Sequence, residues 1–273
     1  MARLVHESGH GATYRRHDLH LTVVSAPVLP VVVDGVTHHY GSKLALDNMS
    51  WSAPQGAITC VLGPNGAGKT TVMEMAEGLR RPESGRIRVL DADPWTADAA
   101  HRRRVGVMLQ DGGLPASVKP LRLLEHFATL YDARDEFPAL VEQLGIDEFR
   151  HTSVRRLSGG QRQRVAMAAA LIGRPDVVFL DEPSAGLDPH ARLDVWDLIR
   201  QTADRGACVV VTTHSFEEAD RLADQVIIVA AGSVAAHGTV AEVSGTAGLE
   251  DTYFALTRSD RTHTDTRGTR GSA

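Results

Sequence analysis

The chain has 273 residues, 42% of them hydrophobic and 23% charged, with a formal net charge of −5. That length holds one large domain or two modest ones with ample core, and the composition is that of an ordinary globular protein. The acidic balance argues against a broad nucleic-acid footprint, and the only two cysteines, Cys60 and Cys208, lie inside apolar runs, which excludes a disulfide framework and fits a reducing compartment.

Residues 1–30 mix histidine, arginine and small residues without a sustained period, and are expected to form a flexible extension. No signal peptide opens the chain, and the apolar stretch LHLTVVSAPVLPVVV is short and broken by Pro27 and Pro30, so no membrane span is expected. HESGH, His6 to His10, matches the zinc-protease pattern H-E-x-x-H. That chemistry needs both histidines on one face of a rigid helix, and Gly9 and Gly11 lie within or beside it. The context fails and HESGH reads as a decoy, so a zinc hydrolase stands only as a third reading, which removal of residues 1–30 would test.

From residue 31 to about 245, short β-rich runs alternate with amphipathic segments: AITCVLG, SGRIRVL, RVGVMLQ, DVVFLDE, ACVVVTTH and DQVIIVA. This alternation predicts an α/β fold with a mainly parallel sheet covered by helices. Between about 111 and 165 strand signals vanish, while LRLLEHFATLY and EFPALVEQLG have helical spacing, which predicts an inserted helical subdomain. ARLDVWDLIRQTADRG places Val195, Leu198, Ile199 and Thr202 on one face of a scaffold helix. In 246–273 acidic and arginine residues cancel in a half-polar tail, expected to be loosely docked or disordered.

Chemistry-bearing residues fall at the ends of these strands. Tyr40 lies at a strand end 23 residues before the glycine loop and can stack a base, a role His39 could share; plain packing is the competing reading. GPNGAGKTT follows the strand AITCVL and opens a helix, satisfying G-x-x-x-x-G-K-S/T in its required context. Gly63, Gly66 and Gly68 let backbone N–H groups converge on phosphate oxygens, Lys69 reaches the terminal phosphates and Thr70 offers a hydroxyl to magnesium. Pro64, Asn65, Ala67 and Thr71 complete this cradle, and a triphosphate ligand is implied.

Gln110 closes the strand VGVML, and Asp111-Gly112-Gly113 reads as a hinge into the helical insert. In LSGGQRQRV, Ser158 and Gln161 form a capping box for the helix that follows. Gly159 and Gly160 each cost about 1 kcal/mol relative to alanine in that first turn, so something other than the helix requires bare backbone there. DVVFLDEP ends a buried strand in Asp181, a magnesium ligand directly or through water, and Glu182, the candidate general base. Asp188-Pro189 starts a helix in the preferred way. His214 sits at the tip of ACVVVTTH, facing the same sheet edge as Asp181, with Ser215 and Glu218 capping the next helix.

Taken together, residues 31–245 resemble the ATP-binding subunit of an ABC transporter. Tyr40 matches the adenine loop, GPNGAGKTT Walker A, Gln110 the Q-loop, LSGGQ the signature, VVFLDE Walker B, SAGLD the D-loop and His214 the switch histidine. The resemblance implies a P-loop NTPase (RecA-like) core with an antiparallel β part, ATP and Mg2+ as ligands, and Gln110 as a catalytic and metal-facing residue. It also implies a homodimer or paired ATPase domain in which Ser158, Gly159, Gly160, Gln161 and Asp188 meet ATP held by the other subunit's P-loop, so that two ATP molecules are sandwiched. A separate integral membrane permease, at the cytoplasmic face of the membrane, would be the partner, with no nucleic acid expected. GLDPHARLDVWDLI and TTHSFEEADRLAD look most like the drug-exporter branch similar to daunorubicin-resistance ATPases. The segment DGGLPASVKPLRLLEHF lacks the family's common leucine-threonine-valine motif, which leaves the permease type open. A non-transport ABC ATPase acting on nucleic acid or cofactor assembly is the alternative.

Overall fold

Strands that are apolar at every position need cover on both faces, and such strands form the centre of this molecule. A computed structural model describes residues 28–109, 113–135 and 137–258. The expectations for His6 to His10, Gln110, Asp111, Gly112 and most of the two termini lie outside the described residues.

In chain order, β1 (Val31–Tyr40) and β2 (Lys43–Ala53) form a hairpin, and β3 (Ile58–Leu62) leads through the glycine loop into α1 (Lys69–Ala76). Then come β4 (Ser84–Val89), α2 (Ala99–Arg102) and β5 (Val105–Met108). The helical insert holds α3 (Pro120–Tyr131), α4 (Phe137–Gln143), two 3-10 turns (Ile146–Phe149 and Val154–Arg156) and α5 (Gly159–Leu171). The chain closes with β6 (Val177–Asp181), α6 (Pro189–Asp204), β7 (Cys208–Thr213), α7 (Phe216–Leu222), β8 (Gln225–Ala230), β9 (Ser233–Thr239), α8 (Val240–Ser244) and α9 (Leu249–Thr257).

Among the described residues there are two sheets. The larger has the order β5-β6-β7-β3-β8-β9, and the smaller, antiparallel, has the order β2-β1-β4. β5, β6, β7, β3 and β8 run parallel, whereas β9 returns antiparallel to β8 through Ala231 and Gly232, both at positive φ. Positive φ at both turn positions is what a two-residue hairpin requires. This is a P-loop NTPase fold with a mixed sheet core and a helical subdomain, as the sequence predicts.

Side-chain alternation divides the core in two. Ile58, Cys60 and Leu62 of β3, with Val178 and Leu180 of β6 and Val209 and Val211 of β7, pack against the helical insert, α6 and α7. Val61, Val177, Phe179, Cys208 and Val210 face the other way, onto α1 and the small sheet with its Val31, Leu46, Met49 and Trp51. Each fully buried side chain of this size contributes about 1.5–3 kcal/mol, so α1 is held firmly between the two sheets. Its first residue, Lys69, is thereby fixed against the carboxyl ends of the parallel strands.

The expected scaffold face is present: Val195, Leu198, Ile199 and Thr202 are all buried in α6. The tail departs from expectation over its described part. α9 docks on the core through Leu249, which is 2% exposed, and Tyr253 and Phe254 pack on Phe216 with ring centroids 5.0 and 5.9 Å away. Charge cancellation hid an apolar face, Leu249, Tyr253 and Leu256, at helical spacing.

Candidate nucleotide site

Parallel register brings the motif residues to one edge. Leu62 pairs with Thr213 and Asp181 with Thr212, so the glycine loop, Glu182 and His214 all leave the sheet on the same side. Ligands of open α/β sheets bind outside the strands' carboxyl ends.

Glycine is required at the two ends of the loop. A Cβ on Gly63 would lie 2.5 Å from the Val229 carbonyl oxygen. Gly68 caps α1 at φ 107, and a Cβ there would meet the Ala45 carbonyl oxygen at 2.8 Å. Between them Lys69 folds back over the loop, its Nζ donating to the carbonyls of Gly63 at 2.6 Å and Pro64 at 3.2 Å. Burial lowers the Lys69 pKa from its ordinary value, while the charges of Glu182 and Asp181 act against that shift. A partly dehydrated ammonium suits an anionic ligand, and the two carboxylates beside it suit a divalent cation bound with that ligand.

Asp181, 8% exposed, ends β6 and accepts a hydrogen bond from the Thr212 hydroxyl at Oδ1. Burial, helped by the Glu182 charge, pushes its pKa up; Thr212 and Lys69 pull the other way. The next residue, Glu182, sits in the left-handed region at φ 48, a conformation costing roughly 1–2 kcal/mol for a residue with a Cβ. Three contacts hold it. Its N–H donates to the Thr212 carbonyl at 3.1 Å and lies 3.2 Å from the Thr212 hydroxyl oxygen, and its C=O accepts from Gln163 Nε2 at 2.6 Å. Its carboxylate Oε1 lies 3.1 Å from His214 Nδ1. The candidate base and the candidate phosphate-facing histidine thus touch.

These groups border a cleft of about 400 Å³ lined by Tyr40, Asn65, Gly66, Gly68, Lys69, Thr70, Thr71, Asp181 and Glu182, together with Lys43 and Ala45. Tyr40, 44% exposed, places its hydroxyl 3.4 Å from Thr71 Oγ1. His39 is not among the described residues lining it: its ring turns to Glu83, with Nδ1 2.8 Å from Oε2. Sequence reading missed Lys43 and Gln163. Lys43 was findable as the residue across the hairpin from Tyr40, whereas nothing local marks Gln163.

Ser158, Gly159, Gly160, Gln161 and Asp188 are not among the described residues lining this cleft. The capping box forms as expected, with Gln161 N–H donating to Ser158 Oγ at 3.2 Å and Ser158 N–H to Gln161 Oε1 at 3.0 Å. Asp188 caps α6, accepting from the N–H groups of His190 at 3.1 Å and Ala191 at 3.0 Å, and these bonds hold its pKa below the ordinary value. A second cavity of about 390 Å³ lies between β5, the end of α1, α3 and α5, lined by Glu77, Leu79, Met108, Phe127, Tyr131 and Ala169 among others. Its lining is mostly apolar, with Glu77, His101, Arg102 and Arg103 among the exceptions, and it holds none of the glycine loop's N–H donors, so the glycine-loop cleft is the candidate triphosphate site.

Residues 46–185, which include the glycine loop, the Ser158 helix start, Asp181 and Glu182, match the family model described as ABC transporter. This chain belongs to the ABC transporter ATP-binding family. It is 40% identical over 223 residues to the daunorubicin resistance ATP-binding protein DrrA3 of Streptomyces coeruleorubidus, covering 80% of this chain and 71% of that protein. It is 34% identical over 221 residues to the Nod factor export ATP-binding protein I of Rhizobium leguminosarum bv. viciae, covering 78% and 71%. In fold it is similar to an ATP-binding subunit of an ABC transporter, with a TM-score of 0.78 at 23% identity over 84% of this chain and 99% of that one. A dimeric bacterial ABC transporter cassette gives a TM-score of 0.70 at 24% identity, covering 77% and 98%. ABC ATPase domains bind ATP with magnesium, pair around the nucleotide and work with a membrane permease. Among the described residues of this ABC ATPase, no helix is long and apolar enough to cross a membrane.

Proposed function

We propose that this chain is the ATP-hydrolysing subunit of an exporter, powering passage of a small molecule through a separately encoded permease at the cytoplasmic face of the membrane. The names of its relatives, resistance to daunorubicin and export of Nod factor, support the export direction. The carrying observation is the split between the two motif clusters. The P-loop cleft is lined by the β1–β2 hairpin, the glycine loop and the end of β6, whereas the exposed Ser158 and Gly159 at the start of α5 lie outside it, free to meet a nucleotide held by a second chain.

In this reading the loop N–H groups and Lys69 hold the β- and γ-phosphates, and Tyr40 stacks the base. The residues fit magnesium: Thr70 and Asp181 are hard oxygen donors, and Thr212 accounts for only one of the two Asp181 oxygens. Bound there, magnesium supplies neutralisation of the phosphate charge. Glu182 orients the attacking water and takes its proton. His214, with Nδ1 toward Glu182, keeps Nε2 for a γ-phosphate oxygen. Ser158 and the first N–H groups of α5 form a second anion-binding helix terminus, aimed at the partner chain's nucleotide. Loss of the γ-phosphate removes the charge both chains grip, and the pair loosens. Gln110 and the groove beside the insert pass that motion to the permease.

Turnover per chain, measured with saturating magnesium and ATP across a dilution series, is expected to collapse as the protein becomes monomeric. Lys69→Ala should abolish it at every concentration. Constant turnover in a verified monomer would refute the shared site, and purification from detergent-solubilised membranes without an integral partner would refute the exporter role.

A further inference from the structure

The base-stacking ring is braced from behind. The ring of His38 meets that of Tyr40 edge-on, centroids 5.2 Å apart at 88°, and the Thr71 hydroxyl stands 3.4 Å from the tyrosine oxygen. Arg80 closes a third side, with Cζ 4.9 Å from the ring centroid. Its guanidinium is fixed in turn by Glu74 of α1, Nε to Oε2 at 2.8 Å.

The side from which Arg80 approaches decides its role. Tyr40 lines the P-loop cleft, and Arg80 does not. Arg80 instead lines a neighbouring cleft with Arg81, Pro82, Ile87, Arg88 and Trp95. The cation thus reaches the ring from outside the cleft that Tyr40 lines, which leaves the cleft side of the ring for a purine. A cation over an aromatic face is attracted by the ring quadrupole and holds the ring plane. A side chain already held in place loses less freedom when a ligand stacks on it.

We propose that Arg80, tethered by Glu74, is a positioning residue that sets Tyr40 for purine stacking and so contributes to nucleotide affinity through the base alone. This rests on the ATPase reading above. Its signature is selectivity between ligands: the loss on removing the cation falls on ATP and spares a ligand with phosphates but no base.

Magnesium-dependent binding of ATP and of inorganic tripolyphosphate is measured by calorimetry for the full chain. Arg80→Met should weaken ATP binding about three- to five-fold, the range of an exposed cation–π contact, and leave tripolyphosphate unchanged. Arg80→Lys should restore most of the loss, and in a Tyr40→Ala background Arg80→Met should have no further effect. Unchanged ATP affinity in Arg80→Met, or an equal loss for both ligands, overturns the proposal. Should Arg80→Met fail to fold, Glu74→Gln carries the same test: a loss of about two-fold for ATP alone supports the proposal, and none overturns it. Wild-type protein that holds tripolyphosphate and ATP equally also overturns it, whereas wild type that holds neither removes the ATPase reading itself.

Discussion

The P-loop cleft and the start of α5 are both helix termini built on glycine, yet their surroundings differ. In the cleft, a Cβ on Gly63 or Gly68 would collide with this chain's own backbone, and Lys69, Asp181 and Glu182 are each held by neighbours within the chain. At α5, a Cβ on Gly159 would meet nothing within 4 Å, and one on Gly160 would press on Leu187 Cδ2 at 3.1 Å. Packing within the chain explains Gly160 in part and leaves Gly159 without a reason. A bare backbone that faces outward, in a turn where glycine costs about 1 kcal/mol, fits a surface that something external must approach closely. The first region is held in place by its own fold; the second, in the proposed reading, is held ready for a nucleotide bound by another chain.

Two substitutions test that contrast most severely. Glu182→Gln keeps the side chain's shape and removes its basicity, so turnover should fall roughly 10²- to 10³-fold while ATP still binds and the paired form accumulates. ATP hydrolysis by single turnover, with size-exclusion chromatography in ATP, reads both effects, and a variant with half the normal turnover would strip Glu182 of its role. Ser158→Arg should leave ATP binding within about two-fold and cut turnover on the order of 10²-fold, because the damage falls on the neighbour's nucleotide. The decisive arm is mixing. A Lys69→Ala chain and a Ser158→Arg chain, each inactive alone, should regain turnover together, since one of the two shared sites then has both halves intact. No recovery on mixing would refute the assignment of the two regions to opposite halves of one shared site.

Legibility followed the same division. The motif residues of the cleft, though not Lys43, were readable because the glycine loop and Asp181-Glu182 each end a strand whose apolar run is unmistakable, and parallel register then aligns the ends, as with Asp181 beside Thr212. The capping box at Ser158 was readable from spacing alone. Contacts across the sheet were not. Thr212 lies inside β7, where nothing local marks it, yet its hydroxyl serves Asp181 while its carbonyl and hydroxyl both meet the Glu182 N–H. β9 was missed because its SVAAHGT pattern is half polar, and α9 because its apolar face is sparse.

Gln163 sharpens the contrast further, because it joins the two regions: it stands on α5 four residues beyond Gly159 and donates to the Glu182 carbonyl at 2.6 Å. Gln163→Leu removes that donor and one of the contacts that keep Glu182 in its left-handed conformation. An expected loss of roughly ten-fold in kcat, with the KM for ATP moving by less than about two-fold, corresponds to about one buried hydrogen bond. A change confined to KM would mean that Gln163 acts on binding and that α5 does not reach the reacting end of the site.

The smallest expected effect concerns the helix that spans from the cleft to the groove beside the insert. α1 begins at Lys69 and is closed by Glu77, whose carboxyl lines that groove. Burial raises its pKa from the ordinary 4.5 to about 8, with the charges of Asp181 and Glu74 adding to the rise. The folded chain therefore keeps this proton up to about pH 8, whereas the unfolded chain releases it near 4.5. Across that window the folded state binds more protons than the unfolded one, so this group's contribution to stability falls as pH rises and is flat below and above it. Glu77→Gln cannot ionise and loses that slope. Because the carboxyl keeps partial access to water in the groove, the variant should gain about 1 kcal/mol over wild type at pH 9 and little at pH 5. Urea denaturation at the two pH values reads the difference. A gain of equal size at both would trace it to packing and not to the cost of burying the Glu77 charge.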